Sequence, residues 1–215
     1  MNNYINIYYI MINIYKKQKL NIEESECDFK SENIIMTGNS AKNNAIINFI
    51  YHRPNLYSHI YVYADPNNSL WKYLIEYLGS RITMLYSIPD MRVYNFKEHS
   101  LVIYDYDYAQ LNHFDNNIKD SFICTRIKHI SCIIKIRDMY NLPPIIRYSA
   151  QYIVICSETN KRNKKIIRQL LNNNQIDLEL LSTSIKNFAI SLNNVCTIKI
   201  HSDNPLSNNF DIFNN

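Results

Sequence analysis

The sequence predicts an α/β domain with a mostly parallel central sheet flanked by helices, and three observations carry that expectation. Short apolar runs alternate along the chain with longer amphipathic stretches, the pattern of strands joined by crossover helices. One run, Ile130–Ile136 (ISCIIKI), is apolar almost throughout, as suits a strand covered on both faces. Another, Ile34–Met36, ends at Thr37-Gly38, passes through small polar residues and leads into an apolar helical pattern at Ile46, Ile47 and Ile50. That is the grammar of strand, phosphate-cradling loop and helix. Gly38, one of two glycines in the chain, stands at the end of that strand.

Taken in order, residues 1–31 form a leader: an apolar run, a basic Lys16-Lys17-Gln18-Lys19 and an acidic patch. It is expected to add an edge strand or to be partly mobile. The domain proper spans residues 32–201. A first strand covers about Asn33–Thr37. The loop follows, and a helix runs from about Ala41 to Tyr51, where Pro54 stops it. Ile60–Ala64 is a second strand. Asp65-Pro66-Asn67 opens a helix, proline being suited to a first turn, and Gly79 ends it. Arg81–Tyr86 reads as a short strand and Ser100–Asp107 (SLVIYDYD) as one closing on acidic residues. Asp115–Arg126 is expected to be helical. Ile130–Ile136 is the buried strand. Met139–Ser149, with Pro143-Pro144, is expected to be loop with one helical turn. Tyr152–Cys156 is a strand, Thr159–Asn172 and Asp177–Leu192 are helices, and Val195–Ile200 is a last strand. Residues 202–215, rich in Asn, are expected to be a disordered tail.

At 215 residues with 47% apolar side chains, one domain with one sizeable core is the default. The excess of Asn, Ile, Lys and Tyr, with little Gly, fits mutational pressure in an AT-rich genome, as in many large DNA viruses. A net charge of +4 is too small to argue for nucleic acid. Its distribution says more: between Thr125 and Arg168 ten lysines and arginines face only Asp138 and Glu158. The five cysteines form no C-x-x-C pair and the six histidines show no ligand spacing, so a metal site or a disulfide frame is not expected. Cysteines in apolar runs suit a reducing, intracellular setting. No segment has the length to span a bilayer, so no membrane partner is expected.

A phosphate loop of the G-x-x-x-x-G-K-[ST] kind uses glycines to bring backbone N–H groups around phosphates. Its lysine reaches the β- and γ-phosphates and its hydroxyl holds Mg²⁺. Here the frame is Gly38, Asn39, Ser40, Ala41, Lys42, Asn43, Asn44, Ala45. Asn43 replaces the second glycine, Asn44 the lysine and Ala45 the hydroxyl residue. Codon drift accounts for Gly to Asn but not for Lys to Asn, since lysine codons are already A-rich; the loss reads as relaxed need. Lys42 lies two positions early, and its side chain is expected to leave the loop in another direction. The second element is Leu101–Asp107. Asp105 suits a Mg²⁺ position. Tyr106, directly after it, cannot serve as a base near neutral pH, and Asp107, one residue further, is expected on the face of an extended strand opposite to that position. The plain reading is a buried strand with two carboxylates at its wet end.

The order of these pieces resembles the poxvirus-type DNA-packaging ATPases, a viral branch of the FtsK–HerA family of P-loop motors. The resemblance covers about Glu32–Ile200 and is carried by Arg126–Arg147, RIKHISCIIKIRDMYNLPPIIR. This has an Arg after a helix, an apolar strand, a polar sensor at its end, then Tyr140, Pro143 and Arg147. The family's sensor is glutamine; here the position holds Arg137. The resemblance implies a three-layer P-loop NTPase fold of the ASCE (RecA-like) type, with the sensor strand between the strand before the loop and the strand ending at Asp105. It implies ATP and Mg²⁺ as cofactors, Asp105 or Asp107 as the catalytic and metal carboxylates, and Arg147 as an arginine completing a neighbour's site in a ring. It implies double-stranded DNA, an active packaging paralogue and other virion proteins as partners, in the infected-cell cytoplasm or the virion. Against activity, the lysine, hydroxyl, second carboxylate and sensor positions are all changed. An arginine finger alone is worth roughly 10³–10⁵-fold in rate, so losing several comparable groups leaves little turnover. A degenerate ATPase with a structural role is therefore expected. The alternatives are an active ATPase using Lys42 with Asp105 or Asp107, and a non-enzymatic nucleic-acid-binding module. The polar face of a solvated helix explains Lys161, Arg162, Lys164 and Lys165 more cheaply than DNA contact does.

Overall fold

The computed structural model describes residues 30–38, 42–51, 53, 56–111, 116–157, 160–171, 183, 195–200 and 206–208. Most of the leader, loop residues Asn39, Ser40 and Ala41, and nearly all of the helix expected over 177–192 lie outside them.

Among the described residues eight strands form one sheet: β1 (Asn33–Thr37), β2 (His59–Tyr63), β3 (Ile82–Met84), β4 (Ser100–Asp105), β5 (Ile130–Ile136), β6 (Tyr152–Ile155), β7 (Cys196–Lys199) and β8 (Leu206–Asn208). Their spatial order is β3-β2-β4-β5-β1-β6-β7-β8. All pairings from β3 through β6 are parallel; β7 and β8 add antiparallel edges. The expected order holds: β5 lies between β1 and β4. Every residue of β1, β2, β4 and β5 is buried, which is why these strands read as near-continuous apolar runs.

Helices cover both faces, making three layers. On one side lie α1 (Lys42–Tyr51) and α2 (Ser69–Leu78), with Ile46, Phe49, Leu70, Trp71 and Leu74 packed on Ile34, Met36, Ile103 and Ile133. On the other lie α4 (Asn116–Cys124), α5 (Pro144–Ser149) and α6 (Lys161–Leu170), through Ile118, Phe122, Ile146, Ile166 and Ile167. Burying each such side chain contributes about 1.5–3 kcal/mol. A short α3 (Tyr106–Leu111) follows β4 directly. α6 buries Ile166, Ile167 and Leu170 together with Asn163, starts at the cap Asn160, and leaves Lys161, Arg162 and Lys165 exposed.

Three departures have physical reasons. β4 stops at Asp105 and turns into α3, where the sequence suggested strand through Asp107. Met139–Ser149 holds more helix than expected: a 3₁₀ turn at Met139–Asn141, then α5 with Pro144 at its first position, where the missing N–H costs nothing. Within 202–215, read as a tail, Leu206–Asn208 forms β8 because β7 presents an unpaired edge.

Candidate functional site

β1, β4, β5 and β6 all end at one edge of the sheet, and the loop after β1 leaves there. Ligands in open parallel sheets bind outside this carboxyl edge. Gly38 exits with φ +142°, a conformation that L side chains rarely adopt. A Cβ there would stand 2.8 Å from Ser157 Oγ and 3.0 Å from its backbone N, so the position needs glycine on both counts.

Four charged side chains meet at this edge. Lys135 and Asp105 are register partners on β5 and β4. With Ile133 and Ile103 two residues earlier in the cluster under α1, both side chains point to the α1 face. Lys135 Nζ lies 2.6 Å from Asp105 Oδ2, and the two side chains are 9% and 10% exposed. Lys42, at the start of α1, reaches Asp107 Oδ2 at 3.2 Å. Asp107 Oδ1 also accepts from the Arg137 backbone N–H at 3.1 Å. Lys42 thus reaches the residues that follow β4. Asp107 is not on an extended strand as expected, because β4 ends at Asp105 and the helix begins at Tyr106. The helical turn of α3 carries it back toward α1.

Behind the ion pairs is a buried polar knot. Thr37 Oγ1 donates to the Arg137 carbonyl at 3.2 Å, and Asn163 Nδ2 donates to the same carbonyl at 3.2 Å and to Thr37 Oγ1 at 3.3 Å. Asn163 Oδ1 accepts from Met139 N–H at 2.9 Å. One amide on α6 therefore ties together the ends of β1 and β5. Cys156, after β6, feels both Lys42 and Lys135; burial nonetheless pushes its thiol up to about 12.

The remaining expected residues divide. Asn43 and Asn44 are half-buried on the first turn of α1, and Ala45 is 1% exposed, with its methyl in the core. Arg137 is engaged through its backbone, and its side chain is exposed. Arg147 is half-buried on α5. The carbonyl of Ser149, two residues on, accepts from Asn33 Nδ2 at the start of β1 at 3.2 Å. Two partners in the knot and ion pairs, Lys135 and Asn163, were not singled out from the sequence as site residues. A lone lysine interrupting an otherwise apolar strand was the available signal for Lys135.

A magnesium ion does not fit this set. Hard cations take about six oxygen ligands, and P-loop proteins supply a hydroxyl and a carboxylate among them. Here Ala45 offers no oxygen and Asp105 is already capped by an ammonium. Among the described residues no group of three or more His, Cys, Asp or Glu could hold a metal ion. Among the described residues, too, no helix is long and apolar enough to cross a membrane.

No protein-family model matches the chain, and no curated protein matches it. Solved structures do. The genome-packaging NTPase B204 of Sulfolobus turreted icosahedral virus 2, in complex with sulfate, aligns with TM-score 0.59 at 13% identity, covering 83% of this chain and 95% of that one. The DNA-packaging ATPase B204 of Sulfolobus turreted icosahedral virus gives TM-score 0.55 at 15% identity, covering 82% and 95%. The pCW3 conjugation coupling protein TcpA, solved as a monomer with ATPγS, gives 0.56 at 11% identity, covering 89% and 67%. At these identities the likeness establishes the fold alone: a three-layer α/β architecture with a mostly parallel sheet, shared with these proteins.

Proposed function

We propose that this chain is a viral P-loop protein of the DNA-packaging type whose ATP hydrolysis is lost or weak, acting as a non-catalytic component of genome packaging or virion assembly. The observation that carries it is the buried Lys135–Asp105 pair at 2.6 Å, at the carboxylate where the fold's hydrolytic chemistry is centred. The changed Asn44 and Ala45 support the same reading, since neither can supply the loop's cation or its hydroxyl. The finer placement in the poxvirus-type branch of the FtsK–HerA family rests on the spacing of Arg126, Arg137, Tyr140, Pro143 and Arg147. With it go the partners proposed here: double-stranded DNA, a ring of this chain or an active packaging paralogue, and other virion proteins, in the infected-cell cytoplasm or the virion. Arg147 is proposed to serve a neighbouring subunit.

A second reading has one observation in its favour. Lys42 meets Asp107, so it is the candidate for a displaced loop lysine in an active, deviant ATPase. The test is phosphate release from ATP with Mg²⁺, with and without double-stranded DNA. The first reading expects release no greater than that of Asp105→Asn. DNA-stimulated release that disappears in both Lys42→Ala and Asp105→Asn would establish the second reading.

A further inference from the structure

A lysine in the middle layer of a parallel sheet needs a reason. β5 is buried along its whole length, and Lys135 is the one charged residue in ISCIIKI. Taking an ammonium and a carboxylate out of water costs several kcal/mol per ion, and an apolar pair of similar volume is often as stable or more so. Stability alone therefore does not account for Lys135 facing Asp105. Position does: Asp105 closes β4 at the ligand-binding edge, on the face covered by α1. The second carboxylate at this edge, Asp107, is matched by a second lysine, Lys42.

We propose that Lys135 is a built-in counter-ion that stands at Asp105 where the fold otherwise places a divalent cation, so that this edge of the sheet works without metal. An ammonium 2.6 Å from Oδ2 both satisfies the carboxylate and repels a doubly charged ion from the same oxygens. Any nucleotide held here is then held through protein groups such as Lys42 and without magnesium. The inference rests on the reading of this edge as a P-loop nucleotide site whose chemistry has changed.

Manganese is the probe. Adding substoichiometric Mn²⁺ to the native protein should leave the backbone amide NMR signals of Asp105 and Lys135 unbroadened. The melting temperature in millimolar Mn²⁺ should equal that in EDTA. In Lys135→Met the carboxylate loses its cation, and Mn²⁺ should now bind. It should broaden the Asp105 signal and raise the melting temperature by a few degrees, as a ligand of the folded state does. Lys135→Met/Asp105→Asn should lose both effects. Native broadening at Asp105 overturns the proposal, as does a folded Lys135→Met that gains nothing. Should Lys135→Met fail to fold without metal, folding rescued by Mn²⁺ supports the proposal. Should it fail in either condition, the native spectrum decides alone. The two readings fail separately. Native ATP hydrolysis persisting in EDTA sinks the loss of hydrolysis and leaves the counter-ion standing. Mn²⁺ at Asp105 in a native protein that hydrolyses nothing does the reverse.

Discussion

Glu32 and Arg53 meet at 2.7 Å at the edge where β1 begins; Asp105 and Lys135 meet at 2.6 Å at the edge where β4 and β5 end. The side chains are alike in exposure, 7% and 10% for the first pair and 9% and 10% for the second. Their surroundings differ. Arg53 also lies over the Phe49 ring at 4.9 Å and near Tyr57 Oη at 3.5 Å, fastening the end of α1 to the start of β1. Burial pushes the Glu32 carboxyl above its usual range, and Arg53 pulls only part of that back. That pair is a staple within the core. The other joins two central strands at the edge where parallel sheets bind ligands, beside a second ion pair and a glycine exit. Two buried pairs of the same length thus have different meanings, and place in the topology separates them.

The largest effects should come from cutting either pair. Lys135→Met and Arg53→Met each leave a carboxylate buried without its cation, at a cost of about 3–5 kcal/mol in urea unfolding. Removing both partners, as in Glu32→Gln/Arg53→Met, should recover most of that loss. A near-neutral Lys135→Met beside a costly Arg53→Met would break the equivalence and mean that water reaches Asp105 freely.

Next in size is the glycine at the ligand-binding edge. Gly38→Ala combines φ +142° with a Cβ 2.8 Å from Ser157 Oγ, and is expected to cost about 1–3 kcal/mol. Gly79→Ala, at φ +55° with nothing within 4 Å, should cost about 1 kcal/mol. Equal losses would mean that the close approach to β6 is unimportant. Asn163→Ala should cost about 1–3 kcal/mol, because it strands buried groups at the ends of β1 and β5.

The smallest effect concerns pH at the opposite edge. Burial first, then Lys97 and Arg81, hold His59 below its ordinary 6.5, and its Nε2 lies 2.8 Å from Thr83 Oγ1. A base depressed in the fold contributes stability that is complete above its unfolded value and lost as pH falls through the folded one. The melting temperature should therefore drop between pH 7.5 and 5.5, and drop less in His59→Gln. An equal drop in both proteins would assign the pH sensitivity elsewhere.

Much of the fold was legible in the chain. Buried parallel strands advertise themselves as unbroken apolar runs, so β1, β2, β4, β5 and β6 fall where such runs are, and Gly38 marks the exit from β1. The ends of elements were less legible. Asp107 was placed by strand alternation, which ceases at Asp105, and only the turn into α3 shows it facing Lys42. Pro143-Pro144 read as loop, although a proline at a first helical position is compatible with α5. Lys135 was counted only among the ten basic residues between Thr125 and Arg168, because sequence gives no register between strands. Its meeting with Asp105 depends on β5 pairing in step with β4. Asn163 looked like one more polar residue in a basic helix, and its role comes from a carbonyl 26 positions away.

The most direct test is the melting temperature of the native protein with and without millimolar Mg·ATP, beside Asn44→Lys/Ala45→Thr. A closed site predicts no magnesium-dependent shift in the native protein. A native shift of several degrees that requires magnesium and vanishes in Lys42→Ala would contradict it, and would make this edge a working, deviant nucleotide site.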